Sequence, residues 1–193
     1  MNEVDCPEYW RKRYLQNQIA WDCGQITPPL KEYIDQLVNK DIRIIIPGCG
    51  NAYEGQYLWT IGFKNVFLLD FATEAIENFK KLVPEFPNQN IIEQNFFDHF
   101  DKYDLILEQT FFCAIYPTKR KDYVEHTYNL LNDGGKLVGV LFDREFDQGP
   151  PFGGCHKEYK NLFSTNYTKV SISPCYNSVK PRIGTELFIR LEK

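Results

Sequence analysis

The segment Ile44-Ile45-Ile46-Pro47-Gly48-Cys49-Gly50, followed about 20 residues later by Phe67-Leu68-Leu69-Asp70, has the pattern of a nucleotide-binding turn. Three β-branched apolar residues predict a buried strand, and Gly48 and Gly50 let the chain turn tightly with no side chain between backbone and ligand. Asp70 ends a second apolar strand, Val66 to Leu69, where its two acceptor oxygens suit a ribose diol. Asp70 and the adjacent Phe71 therefore mark the expected adenosine end of a site. The pattern departs from Gly-x-Gly-x-x-Gly, because Tyr53 stands at the third position and would crowd a pyrophosphate against the helix start. A cofactor without a pyrophosphate fits better.

The other reactive side chains do not gather in sequence. Cys6, Cys23, Cys49, Cys113, Cys155 and Cys175 show no pair at metal-ligand or redox spacing, so reduced structural thiols and no metal are expected. Cys113 has no paired base nearby and reads as packing. Of His99, His126 and His156, only His156 stands beside a Gly/Pro-rich loop, Asp147 to Gly154, where a proton acceptor would be useful. A net charge of −4 and the short basic run Lys119-Arg120-Lys121 speak against a nucleic-acid partner. No apolar run approaches about 18 residues, and Met1-Asn2-Glu3-Val4-Asp5 lacks the basic and apolar parts of a leader. A cytoplasmic protein acting on a small molecule, away from membranes, is expected.

The chain has 193 residues, 43% hydrophobic and 16% aromatic, enough for one domain with a substantial core. Residues 1–40 read as a helical cap, with helices from Pro7 to Gln18 and from Thr27, whose hydroxyl would cap a helix with Pro28 at its first position. Residues 41–193 read as an α/β core. The pattern predicts strand 42–46, helix 54–61, strand 66–70, helix 72–82, strands 90–94 and 103–108, helix 118–131 and strand 136–142. A helix near 156–163 and strands at 167–173 and 185–191 follow, with no helix between the last two, so an antiparallel hairpin ends the sheet. Neither this ending nor Tyr53 suits a nicotinamide-dependent oxidoreductase.

Four segments together resemble the class I S-adenosylmethionine-dependent methyltransferases, specifically the thiopurine methyltransferase superfamily and its halide and thiol branch. They are Trp10-Arg11-Lys12-Arg13-Tyr14 with Ala20-Trp21-Asp22-Cys23-Gly24 and Thr27-Pro28; Ile46-Pro47-Gly48-Cys49-Gly50; Phe111-Phe112-Cys113-Ala114-Ile115-Tyr116-Pro117; and Gly149-Pro150-Pro151-Phe152. The resemblance implies a Rossmann-like, mostly parallel sheet with helices on both faces and an antiparallel C-terminal hairpin strand. It places Trp10, Tyr14 and Trp21 over the methionine part of S-adenosylmethionine, Gly48 and Gly50 at the turn, and Asp70 on the ribose. Asn95 and Phe96 would surround the adenine, and Glu108 and Gln109 would stand at the fourth strand's end, Glu108 accepting from the methionine ammonium. From the residues alone, Trp10 and Trp21 equally suit helix packing, Phe96 the core, and Glu108 an ordinary strand end.

The implied reaction is direct displacement at a sulfonium methyl, which yields S-adenosylhomocysteine. A ring face beside that cation contributes about 0.5–2 kcal/mol. A thiol, hydrosulfide or halide needs little or no base, so the absence of a triad fits. The expected pocket is small and apolar, walled by Tyr14, Phe112, Tyr116 and Phe152, with Tyr14 or Tyr116 orienting the acceptor and His156 as the one proton acceptor. Tyr116 replaces the branch's usual glutamate and Asn95 a frequent acid. Thiopurines, oxidised selenium or tellurium species, and a non-catalytic sensor that binds S-adenosylmethionine remain as alternatives, and a monomer is the simplest expectation.

Overall fold

The structure, a computed structural model, describes residues 3–193; Met1 and Asn2, which begin the stretch read above as leader-free, lie outside the described residues. The aliphatic runs become β1 (Ile44–Pro47), β2 (Val66–Asp70), β3 (Ile91–Glu93), β4 (Tyr103–Gln109) and β5 (Leu131–Phe142). Every residue of β1 is buried, as a strand covered on both faces requires. β5 starts five residues before its predicted position, and its pairing with β4 shifts register between Tyr103 and Leu105. Two further strands, β6 (Lys169–Pro174) and β7 (Glu186–Glu192), complete a sheet ordered β3-β2-β1-β4-β5-β7-β6.

The five strands from β3 to β5 run parallel, and β7 runs antiparallel to both β5 and β6. The terminal hairpin therefore forms, but its second strand lies inside and its first takes the edge. Burial explains the choice: Leu187, Ile189 and Leu191 of β7 are fully covered, whereas β6 alternates exposed and half-buried positions.

The helices are α1 (Pro7–Leu15), α2 (Pro28–Asp35), α3 (Tyr53–Thr60), α4 (Thr73–Leu82), α5 (Arg120–Leu130) and α6 (His156–Phe163). α1 ends three residues short of its predicted end, where Asn17 takes a positive φ of 53°. Thr27 has the extended backbone of an N-cap, but its hydroxyl does not cap α2. It donates to Gln109 Oε1 at 3.0 Å and so ties the cap to the end of β4. On α4, Ala75, Ile76 and Phe79 form one buried face, as a 3.6-residue period dictates.

One cluster, with Tyr103, Phe112, Tyr123, Phe163 and Leu187, fills one part of the core; another, with Leu30, Ile44, Leu58, Phe63 and Phe79, fills the rest. Each such side chain contributes about 1.5–3 kcal/mol on burial. β1 leads toward β2 on one side and β4 toward β5 on the other, so the connections diverge where β1 and β4 lie side by side. A crevice at their carboxyl ends is the consequence. No described helix is long and apolar enough to cross a membrane.

Candidate active site

A cavity of about 440 Å³ opens at that crevice, between the cap and the carboxyl ends of the parallel strands. Its floor is the turn after β1. Gly48, Gly50 and Ala52 take φ of 56°, 54° and 51°, so alternate residues are left-handed, and the third is not glycine. The turn's donors face inward: Cys49 N–H bonds Leu69 O (3.1 Å), Gly50 N–H bonds Asp70 Oδ2 (2.9 Å) and Ala52 N–H bonds Cys49 O (2.8 Å). These three donors are therefore not available to a diphosphate, the geometric counterpart of the Tyr53 departure.

Asp70 lines the cavity at the end of β2, with Phe71 beside it. Each of its oxygens accepts one backbone N–H, from Gly50 and from Ala72 at 2.8 Å, and keeps a further lone pair for a ligand hydroxyl. Burial pushes this carboxyl up from its ordinary range, and the same backbone donors pull it back. Asn95 and Phe96 line the adjoining wall; Asn95 Oδ1 accepts from Phe97 N–H at 2.9 Å. Phe96 is both wall and core, edge-on to Phe111 at 5.2 Å. Gln109 lines the end of β4 and holds Thr27.

The cap supplies the opposite wall. Trp10 and Trp21 meet edge to face at 5.4 Å, Tyr14 meets Trp21 at 5.8 Å, and all three rings face the cavity, so packing and lining are one arrangement. Trp10 Nε1–H donates to Val4 O at 2.9 Å. Burial first, and the Asp70 charge second, keep the Tyr14 hydroxyl protonated far above its usual range. Asp22 binds the cap to the turn by accepting from Gly24 N–H at 2.6 Å, from Asn51 and from the Tyr53 hydroxyl at 3.3 Å.

Five predicted residues do not reach the cavity. Glu108 is fully buried beneath it: Oε1 accepts Phe111 N–H and Phe112 N–H, each at 2.8 Å, and Oε2 accepts the Tyr123 hydroxyl at 2.7 Å. It holds the turn after β4 and is not placed for an ammonium. Phe112 points into the core against Tyr123 and Tyr159, and its neighbour Phe111 is the wall residue. Thr110 inverts the expected alternation, because this β-branched residue sits at φ 59°, a strained conformation at the mouth of a site. Tyr116 stacks on Phe152 at 5.1 Å outside the cavity, and Pro150 and Pro151 line it instead. His156 is exposed at the start of α6, its backbone N–H on Asp143 Oδ1.

Several lining residues carried no sequence signal of their own: Glu54, Arg144 and Arg182 above all. Arg182 Nη2 donates to Trp21 O at 2.8 Å, while the buried Nη1 has no hydrogen-bond partner and stands 3.6 Å from Glu186 Oε1, an ion-pair distance only. Topology was the available cue. β7 is antiparallel to β5 with Glu186 opposite Phe142, so the segment entering β7 must lie at the carboxyl ends of the parallel strands. Burial holds the thiols of Cys49 and Cys113 well above their usual range, and Cys113 Sγ–H donates to Thr110 O at 3.2 Å. Neither is an activated nucleophile.

Residues 6–185 match the family described as Thiopurine S-methyltransferase. Among curated proteins, "Probable thiol methyltransferase 2" of Arabidopsis thaliana is 30% identical over 191 residues, which covers 95% of this chain and 84% of that protein. Thiocyanate methyltransferase 1 of Brassica oleracea is 26% identical, with the same coverage. The thiopurine S-methyltransferase of Pseudomonas fluorescens is 26% identical over 183 residues, 84% of each chain. Among solved structures, the 1,6-didemethyltoxoflavin-N1-methyltransferase of Burkholderia thailandensis, with bound S-adenosylhomocysteine, superposes with a TM-score of 0.75 at 13% identity, covering 97% of this chain and 86% of that one. The magnesium protoporphyrin IX methyltransferase of Synechocystis gives 0.69 at 13% identity over 98% and 95%. These two similarities concern the fold.

Proposed function

This chain belongs to the thiopurine S-methyltransferase family, and we propose that it methylates the sulfur of a small soft nucleophile, a thiol, hydrosulfide or thiocyanate-like anion, with S-adenosylmethionine as donor. Iodide is an acceptor of the same class. The cofactor supplies a methyl group on a sulfonium sulfur. The chain's own residues fit it: Asp70 retains acceptor capacity for the ribose, Phe71, Asn95 and Phe96 form the base wall, and Trp10, Tyr14 and Trp21 provide ring faces for a cation.

The observation that carries the choice of acceptor is Arg182. A buried guanidinium N–H with no hydrogen-bond partner among the described residues, in a wall shared with Trp21, Phe142 and Cys113, is a place for an anion stripped of its water, with Glu186 at 3.6 Å balancing part of the charge. Direct displacement needs such a nucleophile held in line and dry, and no covalent intermediate on the protein. The names of relatives that act on thiols and thiocyanate support the same class.

The test is a headspace assay with S-adenosylmethionine and, in parallel, iodide, hydrosulfide, thiocyanate and thiophenol, with S-adenosylhomocysteine quantified in each reaction. Matching volatile product and S-adenosylhomocysteine is expected; neither above the protein-free control would overturn the reading. Arg182→Met, which keeps the length and apolar stem, should raise the KM for anionic acceptors by a factor matching about 1.5–3 kcal/mol, and by more than it weakens S-adenosylhomocysteine binding through the lost bond to Trp21 O. Asp70→Asn turns an amide group toward one of two backbone N–H donors. It should weaken S-adenosylhomocysteine binding by about 1–3 kcal/mol in a calorimetric titration, and equal affinity would mean that the ribose lies elsewhere.

A further inference from the structure

Four carboxylates line the cavity, and three of them are committed. Asp5 pairs with Lys119 at 3.1 Å, Asp22 accepts from Gly24, Asn51 and Tyr53, and Asp70 accepts from Gly50 and Ala72. Glu54 is the fourth. It stands in the first turn of α3, 6% exposed, and no cation lies within ion-pair distance of it among the described residues. The backbone amides of Glu54 itself and of Thr27 favour its anion, and burial outweighs them. A buried carboxylate without a cation is costly to ionise, so this group readily holds a proton.

Its surroundings place it at the acceptor end. Asp22 and Cys23 of the loop after α1, Thr27 at the head of α2, and Cys49 of the turn after β1 line the same cavity as Glu54. Burial raises the Cys23 thiol, Arg182 favours its anion, and Glu54, Asp22 and Glu186 oppose it. Arg182 and Glu54 both line this cavity, the first a fixed cation 3.6 Å from Glu186 and the second a group able to change its charge. The phenol of Tyr14 and the thiols of Cys49 and Cys113 stay protonated and cannot take that role.

The geometry points to Glu54 as the catalytic proton acceptor for sulfhydryl substrates, and as the group whose protonation admits proton-free anions to the same place. This rests on the methyl-transfer reading given above. For R–SH, the proton moves from sulfur to a Glu54 oxygen and the S–H electron pair stays on sulfur. That pair forms the new S–CH3 bond as the methyl–sulfonium bond breaks, and the electrons of the broken bond stay on the sulfonium sulfur, which becomes a neutral thioether. Glu54 gives its proton to water when the products leave. Thiocyanate and iodide bring no proton; ionised Glu54 repels them and protonated Glu54 does not. Burial pushes Glu54 up to about 7, so both forms are populated near neutrality.

The deciding experiment compares the wild-type chain with Glu54→Gln, which imitates the protonated acid in size and shape. Thiocyanate binding to the protein loaded with S-adenosylhomocysteine is measured by calorimetry from about pH 5.5 to 8.5, alongside kcat/KM for thiocyanate and for an alkyl thiol. Wild-type affinity for thiocyanate should fall about tenfold across the upper half of that range, and the variant's should stay flat. The thiol-to-thiocyanate ratio of kcat/KM should drop about 10²-fold or more in the variant. An equal ratio in both proteins, or the same pH slope in both, overturns the role of Glu54. Should the variant fail to fold, a pH-independent wild-type affinity overturns it equally. A wild-type chain that forms no S-adenosylhomocysteine with any acceptor overturns the methyl-transfer reading instead.

Discussion

Gly48→Ala is expected to lower the unfolding free energy by about 2–5 kcal/mol and to abolish S-adenosylhomocysteine binding at concentrations that saturate the wild type. Two costs add. At φ 56° a side chain pays about 1–2 kcal/mol for the left-handed conformation. The new Cβ would also lie 2.1 Å from Phe111 Cδ2 and 2.6 Å from Cγ, an overlap that forces repacking at about 1–3 kcal/mol. The ring has little room to retreat, because Phe96 at 5.2 Å and Tyr123 at 6.1 Å pack against it. Denaturant unfolding and calorimetry check both effects. In a double-mutant cycle with Phe111→Ala, the steric share should appear as the coupling energy and the backbone share should not. Gly134→Ala, at φ 75° where a Cβ would meet nothing within 4 Å, should show the backbone cost alone. A Gly48→Ala midpoint equal to that of Gly134→Ala would contradict the close approach of turn and ring.

Glu108→Gln should stabilise the protein by about 3 kcal/mol at pH 8 and by almost nothing at pH 4. Burial raises this carboxyl from 4.5 to about 7, against the pull of Phe112 N–H, the Tyr123 hydroxyl and Phe111 N–H. Below about pH 4.5 both folded and unfolded chains hold the proton, so the group has no pH-dependent effect. As pH rises from about 4.5 to 7, the unfolded chain releases its proton first, and the folded state loses stability. Above the folded value the loss is complete, about 1.4 kcal/mol for each unit of displacement. Glutamine matches the neutral acid, since its oxygen can accept the two backbone donors now on Oε1. Glu54, displaced in the same direction, and His99 and His126, which burial displaces the other way, titrate in both proteins and cancel in the difference. Unfolding at a series of pH values reads it directly. A wild-type-minus-variant difference independent of pH would mean that Glu108 is solvated.

The parallel strands, the glycine turn and Asp70 were legible because short aliphatic runs ending in glycine or acid leave few alternatives. The aromatic triad Trp10, Tyr14 and Trp21 was legible through resemblance, since its spacing alone equally suits helix packing. Between Phe111 and Phe112 the sequence offers no choice: only the positive φ of Thr110 decides which ring meets the cavity and which the core. Tyr116 and Phe152 follow cavity residues Ile115 and Pro151 directly in sequence, yet the loop after β5 turns Pro150 and Pro151 inward while Phe152 packs on Tyr116 outside, and His156 lies further on at the exposed start of α6. Glu54 stood as the lone acid of a largely aromatic and apolar helix, and Arg182 in a polar connection that reads as surface. Their burial comes from the cap folding over α3 and from the antiparallel entry of β7, and neither is a local property.

The insertion of β7 between β5 and β6 orders events in time. A chain emerging from the ribosome at roughly 5–20 residues per second would present β1 to β5, and with them the glycine turn and Asp70, before β7 exists. During that interval β5 has an unpaired edge and β6 has no strand to pair with, the condition under which nascent sheets join the wrong neighbour. The contact from Arg182 to Trp21 spans 161 residues of chain and is among the last to close. The wall built from the glycine turn and Asp70 therefore precedes the wall that holds Arg182, which appears only when β7 slides into place.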